Sequence, residues 1–553
     1  MKVKHLKYIL FFTLLVTYSL QGSAQKPYNI LWLSCEDIGP IMSAYGTSGI
    51  ETPNIDRLAK EGILFSKAYA TVGVCAPSRS SIITGMYPIS IGAHNMRTGD
   101  HWGFHTPEEE HYETCIKVKD KTGRNVPQYS VVPPAEVRCF TEYLRAAGYF
   151  CTNNAKCDYQ FNCPITAWDE VGNDAHYQHR AKEQPFFAVF NHGITHESQI
   201  WKRQSEPLTV DTNVIRIPDY YANIPVVRRD VGRKYANIEE LDAQIGEWLQ
   251  KLEEEDLLDR TIIFFWSDHG GPLLRQKRAV GNSGLRVPLI VRFPDKIQAG
   301  TVVDDIVSLM DLGPTVLSLA GIQPPDYMHG KAFFGSYKAE NAHPYAFGSA
   351  DRFDEHTQMS RSVLDGRYVY IRNYLLDQPY TYPLYYREQI EMTRELITLN
   401  QQGQLSGDAS YIFQQSLPRE ELYDLEHDPD EVHNLANHPD YQDKLEELRN
   451  ALCQWQLEMN DKGFIPEHDL VHLMWPNGIQ PKTAAVRFTT ENRYVSMTCA
   501  TPGASIAYQK DNNIGTNLWE LYSGPIILKK GKIVARAVRI GYQTSAINEI
   551  IVH

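Results

Sequence analysis

Apolar runs that stop abruptly at charged or histidine residues organise the first half of the chain. YNILWLSCED, from Tyr28, is apolar up to Cys35 and then ends on Glu36 and Asp37. PFFAVFNHGITHES is apolar from Phe186 to Phe190 and leads to His192 and His196, while TIIFFWSDHGG ends at Asp268 and His269. VPLIVRFP repeats the apolar character soon afterwards. Such runs predict strands buried on both faces. Between them lie segments of helical period: Ile55, Leu58, Ala59 and Ile63, then Leu241, Ile245, Trp248, Leu249 and Leu252. Strands alternating with amphipathic helices predict an α/β fold, a largely parallel sheet sandwiched by helices. Ligands bind such sheets beyond the carboxyl ends of the strands, so three strands ending in polar residues predict one site along one edge.

After about residue 345 the pattern becomes mixed. RSVLDGRYVYIRNY reads as a hairpin, ELYDLEHDPDEVHNLA as a loop and YQDKLEELRNALCQWQLEM as a helix. The end changes again: YVSMTC, ASIAYQK, PIILKKGKIVARAVRIG and INEIIVH are short alternating strands separated by turn residues, a small all-β sandwich. The expected divisions are 1–24, 25–345, 346–478 and 479–553: an export signal, a main body, a smaller α+β subdomain and the sandwich. The signal consists of Lys2, Lys4 and Lys7, an apolar stretch from Tyr8 to Leu20, and the small-residue site Gly22-Ser23-Ala24. It predicts a mature chain starting at Gln25 in the periplasm or outside the cell. The apolar stretch is too short for a spanning helix, and no cysteine marks a lipid anchor at the cleavage site.

The net charge of −13 over 553 residues argues against nucleic acid as a partner, although a cleft can be locally positive. Nine cysteines, in a chain expected in an oxidising compartment, leave at least one that cannot pair internally. The six-residue spacing of Cys151, Cys157 and Cys163 fits no zinc pattern, so disulfides or free thiols are expected.

The densest chemistry lies in VGVCAPSRSSIITGMYP. Pro77 and Ser78 favour the first turn of a helix that Gly85 would end, which puts Cys75 at its N-terminus, with Arg79 one turn on. A thiol there is acidified and reactive. A buried or disulfide-bonded cysteine fits the spacing too, whereas a cysteine phosphatase needs a longer loop of backbone donors before its arginine. The run CAPSRSSIITG resembles the Cys-x-Pro-x-Arg signature of the formylglycine-dependent sulfatases, members of the alkaline-phosphatase-like superfamily. TPNIDRLAKEG, SGLRVPLIVRFP and ELYDLEHDPDEVHNLA extend the resemblance from about Tyr28 to Ala436.

The resemblance implies that Cys75 becomes an aldehyde (formylglycine), whose hydrate is the nucleophile, and that a maturing enzyme recognises Cys75, Pro77 and Arg79. It implies one divalent ion, usually Ca2+, held by Glu36, Asp37, Cys75, Asp268 and His269. Glu36 replaces the usual Asp, and His269 replaces the usual Asn, a poorer partner for calcium. Arg79, Lys156, His196 and Lys277 would bring positive charge to the sulfate, and His196 or Lys277 would protonate the leaving oxygen. Asp158 stands where the family commonly has a histidine, which leaves open whether it takes the proton when sulfate is expelled.

For the rest of the substrate, His94, Arg97 and His101 in AHNMRTGDHWG and Arg352, Asp354 and Glu355 in DRFDEHTQMSR are the candidates, with ordinary ion pairing as the equal alternative. The expected substrate is a sulfated carbohydrate. An N-sulfoglucosamine sulfohydrolase-type sulfamidase, a phosphoesterase of the same superfamily and a non-catalytic sulfoglycan-binding protein are the alternatives. The terminal sandwich resembles, more weakly, the C-terminal domain of chitobiase-like glycan enzymes.

Overall fold

The computed structural model describes residues 27–96 and 118–553. The signal segment, Cys115, Arg97 and His101 lie outside them.

The runs that stop at charged residues are adjacent strands. β1 (Asn29–Cys35), β2 (Ile63–Tyr69), β3 (Phe150–Asn154), β4 (Glu170–Gly172), β5 (Phe186–His192), β6 (Thr261–Ser267), β7 (Arg286–Arg292), β8 (Thr301–Val303) and β9 (Val307–Ser308) form one sheet. Its order is β4-β3-β5-β1-β6-β7-β2-β8, with β9 also on β2. β1 runs parallel to β5 and to β6, with Cys35 opposite both His192 and Ser267, so the residues after these strands emerge side by side. β7, read as one more strand of the set, is antiparallel to β6 and to β2. Its apolar run encodes burial and not direction.

Alternate residues of β1 enter different cores. Ile30 and Trp32 pack on one face, where Trp32 meets Phe187 and Trp266 edge-on at ring-centroid distances of 4.9 and 5.2 Å. Leu31 and Leu33 pack on the other face, with Leu241, Ile245, Leu249 and Leu252. Each such side chain contributes about 1.5–3 kcal/mol when removed from water. The second face is covered by a long helix that begins at a proline well ahead of the periodic segment.

The helices that matter here are α1 (Pro53–Glu61), α2 (Cys75–Thr84), α3 (Phe140–Ala146) and that long one, α4 (Pro225–Glu254). α2 begins at Cys75 itself and all its residues are buried.

β10 (Ala346–Phe353), β11 (His356–Leu364), β12 (Tyr368–Asn373) and β13 (Glu420–Asp424) make a second, antiparallel sheet. The hairpin is β11–β12, and the supposed loop ELYD is in fact β13. The remaining strands, β14 (Arg487–Glu491), β15 (Tyr494–Thr498), β16 (Ser505–Lys510), β17 (Glu520–Leu521), β18 (Ile526–Ile527), β19 (Gly531–Val538) and β20 (Asn548–Val552), form two small sheets around Val495, Ile506 and Ile533. They dock on the main body through α3 and residues 131–135. Arg145 donates to Trp519 O at 2.7 Å, and Arg539 donates to Pro133 O. A Cβ at Gly541 would lie 2.3 Å from Val131 O, so only glycine permits this approach. The eight cysteines among the described residues are free thiols, and no helix among those residues is long and apolar enough to cross a membrane.

Candidate active site

Past the ends of β1 and β6, carboxylates and cations interlock, most of them buried and Lys156, Asp158 and His196 partly exposed. Asp37 is fully buried, and its Oδ2 accepts from Lys277 Nζ at 2.7 Å and from the Glu197 N–H at 2.6 Å. Its Oδ1 lies 3.1 Å from His269 Nε2, yet is buried without a well-aligned hydrogen bond. Asp268 Oδ2 accepts from Arg79 Nε at 3.0 Å, and its backbone carbonyl accepts from Ser78 Oγ at 2.6 Å. Lys156 Nζ sits 2.9 Å from Glu36 Oε2 and 3.3 Å from Asp158 Oδ2. His196 Nε2 is 3.9 Å from Glu36 Oε2, with its Nδ1 2.9 Å from Ser198 Oγ.

Cys75 heads α2 in the middle of this group, with Sγ 3.4 Å from His269 Nε2. Burial by itself would push its thiol up, but Lys156 and Lys277 hold it down at about 6. Burial would likewise push His269 down, but Asp268 and Asp37 raise it to about 10. Asp37, Asp158, Arg278 and Asp354 all have left-handed backbone, with φ of 56°, 49°, 73° and 53°. Backbone strain of this kind concentrates at functional sites.

The sequence reading missed Glu197, Arg278 and Asn191. Glu197 is fully enclosed and takes both Arg278 Nη1 and Nη2 at 3.0 Å, with Lys277 Nζ also at 3.0 Å. Burial would raise its carboxyl, but Arg278 and Lys277 bring it down to about 2. Asn191, at the end of β5, accepts from Arg79 Nη1 at 2.8 Å and donates to Asn153 Oδ1 at 2.8 Å and Asn154 O at 2.7 Å. It therefore ties α2 to the turn that carries Lys156. The polar ending of β5 was a usable signal for Asn191, whereas nothing local marks Glu197.

The family model described as Sulfatase matches residues 28–322, over half of the chain. This protein belongs to the sulfatase family. A second family model, N-sulphoglucosamine sulphohydrolase, C-terminal, matches residues 270–396 of this sulfatase. An "Ulvan-active sulfatase" of Formosa agariphila is 42% identical over 560 residues, covering 94% of this chain and 90% of its own. The N-sulphoglucosamine sulphohydrolase of Homo sapiens is 27% identical over 487 residues, covering 79% and 91%. Among solved structures, one described in complex with its substrate D-glucosamine-2-N,6-O-disulfate shares the fold, with a TM-score of 0.54 at 17% identity, covering 80% of this chain and 99% of its own.

The sulfatase thus brings Glu36, Asp37, Cys75, Arg79, Lys156, Asp158, His196, Asp268, His269 and Lys277 together. Metal-binding geometry is present in two overlapping sets. Glu36, Asp37, Cys75 and His196 each offer a ligand atom within 4.8 Å of the others, and so do Cys75, Asp268 and His269. Three of the six donors are carboxylates, and Asp37 Oδ1, buried without a well-aligned hydrogen bond, lies among them, which suits a hard dication.

Most of the expected sugar-facing residues are engaged elsewhere. Arg352 is buried and holds Glu467 bidentately at 2.6 and 2.8 Å, with Nη1 on Met96 O and Asp354 O. Asp354 Oδ2 accepts from Arg278 Nε at 2.7 Å, behind Glu197. His94 is buried near Asp351 and Arg361, and burial lowers its pKa. Glu355 is half-buried, and its Oε1 accepts from the Tyr385 N–H at 2.8 Å.

Proposed function

We propose that this protein removes sulfate from a sulfated polysaccharide, using Cys75 as formylglycine and one divalent cation, calcium being the ion the carboxylate donors favour. The observation that carries this reading is Cys75 at the head of α2, within the ring formed by Arg79, Lys156, Lys277 and the three carboxylates. Glu36, Asp37, Asp268 and His269 would hold the cation, which polarises the sulfate oxygens. Arg79 and Lys156 bind the sulfate and offset its charge.

One hydroxyl of the aldehyde hydrate at position 75 attacks sulfur. His196, the more open of the two candidate acids at 16% side-chain exposure, gives its proton to the leaving oxygen. Lys277, at 1%, stays locked between Asp37 and Glu197. The second hydroxyl then loses its proton, sulfate departs with C–O cleavage and the aldehyde re-forms. Asp158, held beside Lys156, is the group we assign to receive that proton.

Cys75 is fully enclosed, so a maturing enzyme would have to reach CAPSR before the chain folds. Export by a cleaved N-terminal signal and the divisions at 345 and 478 belong to the same reading. The Formosa relative's name favours a sulfated polysaccharide, and the sulphohydrolase C-terminal match supports N-sulfate cleavage as the second reading.

The test is peptide mass spectrometry of the Cys75 segment together with sulfate release from O- and N-sulfated saccharides. An aldehyde at position 75 and release that Cys75→Ala abolishes, with the fold intact, are expected. An unmodified thiol together with full turnover in Cys75→Ala would sink the proposal.

A further inference from the structure

A cavity of about 380 Å3 opens beyond β1 and β6. Gly39 to Ile41 and Gly271 line it, and none of the metal or nucleophile residues does. Its size is that of a small-ligand pocket. Lys234 of α4 reaches it with an almost wholly buried side chain. The ammonium donates to Gln276 Oε1 at 3.1 Å, and among the described residues no carboxylate lies within ion-pair distance. Gln276 is itself held by a bond to Tyr220 OH at 3.3 Å.

Arg286 is the second cation on the wall. Its Nε and Nη2 both donate to the backbone carbonyl of Ser66, at 3.0 and 2.8 Å, and no carboxylate meets it among the described residues. Arg216 shows what compensation looks like, because Asp430 takes both its terminal nitrogens at 3.0 and 2.6 Å. The cavity therefore carries surplus positive charge on a chain whose net charge is −13. Burying an ammonium without a counter-charge costs several kcal/mol, more than an apolar side chain at the same helix position would. That burial lowers the Lys234 pKa to about 7. A negative group arriving from outside accounts for keeping a cation there.

We propose that this cavity is a second binding site, which takes the carboxylate or sulfate ester of a saccharide unit on Lys234 and Arg286. The saccharide rests on the function proposed above, whereas the anionic chemistry rests on the cavity alone. Tyr220 and Tyr235 supply aromatic walls of the kind sugar rings pack against.

The test is calorimetric titration of the full-length protein with D-glucuronate, its uncharged methyl ester and inorganic sulfate, comparing wild type with Lys234→Met and Lys234→Gln. Sulfate release is measured in parallel. An anion site predicts one-to-one binding that is roughly thirtyfold weaker in both variants, with sulfate release unchanged. Glucuronate binding identifies the carboxylate as the natural group, while loss of one of two sulfate sites in the variants identifies the ester. The ester derivative binding as well as the acid, or equal affinity in wild type and both variants, overturns the site. Lost sulfate release in a folded variant overturns its separateness. Independently of variant folding, the bound anion should shield Lys234 of the wild type from acetylation, read by peptide mass spectrometry, and no shielding counts against the site. Absent sulfate release in wild type would overturn the enzymatic reading and leave the binding result standing.

Discussion

Two clusters of buried charge occupy the same body and are built on opposite plans. Around Arg361, each cation is matched to nearby oxygens: Asp461 takes Nε and Nη2 at 2.7 and 2.8 Å, and Asp351 takes Nη2 at 3.0 Å. Arg352 and Glu467 beside it form a two-bond fork. At the ends of β1 and β6, Glu36, Asp37 and Asp268 are crowded together, and Asp37 Oδ1 and Arg79 Nη2 are buried with no hydrogen-bond partner. In the Arg361 cluster every carboxylate is tied to a guanidinium, and Asp351 Oδ2 is the one carboxylate oxygen of Asp351, Asp461 and Glu467 buried without a hydrogen bond. A cluster left incomplete by its own residues has capacity for an ion and a substrate. Burial, charge and an unbonded carboxylate oxygen are common to both, so the gathering of ligand atoms around Cys75 carries the functional information.

The contrast can be broken from either side. The largest effect is expected at Asp268→Asn. Bound metal, read by elemental mass spectrometry, should fall from about one per chain to near zero, and turnover should drop about a thousandfold or more, with the thermal melt little changed. Arg361→Ala should behave in the opposite way, losing about 3–5 kcal/mol in denaturant unfolding while folded protein keeps its turnover, because it strands two buried carboxylates. A large turnover defect in folded Arg361→Ala would merge the two clusters.

Acid sharpens the same distinction. Burial would raise Asp461, but Arg361 lowers it from 3.8 to about 2. A depressed carboxyl contributes stability above its unfolded pKa and loses it as pH falls through its folded pKa. The unfolding advantage of wild type over Asp461→Asn, about 2 kcal/mol at neutral pH, should therefore shrink between pH 3.8 and about 2. The smallest effect is expected at His269→Asn, which exchanges a nitrogen donor for oxygen. Its ratio of Ca2+ to Mn2+ affinity should rise by about tenfold in competition binding, with the Arg361 cluster unaffected.

What could be read from the chain follows the range of the interaction that encodes it. The runs that end at Asp37, His192 and Asp268 are local patterns, and parallel pairing of β1 with β5 and β6 puts their ends together. Cys75 and Arg79 share one helix, so their partnership was legible as a motif. Arg352, Asp354 and Glu355 looked like a binding loop because their partners are remote. Glu467 is 115 residues from Arg352, and Arg278 is 76 from Asp354. Glu197 was hidden for the same reason, since its meaning lies in Arg278, 81 residues on. β13 resembled a loop because Glu420 and Asp424 flank only two apolar residues. Both carboxylates are occupied, by Arg449 and Arg367, which made charged residues at the ends of a strand tolerable.

The docking of the terminal sandwich sets an order of manufacture against an order of dependence. Arg539 and Gly541, near the end of the chain, press on Pro133 and Val131. The Val131 N–H bonds Gln160 O at 2.9 Å, and the Gln160 N–H bonds Ser80 Oγ in α2 at 2.9 Å. The turn carrying Lys156 and Asp158 is thus braced from behind by residues of the terminal sandwich, made long after it. A nascent chain can hold its nucleophile, carboxylates and central sheet and still lack that brace, which arrives only with the terminal sandwich.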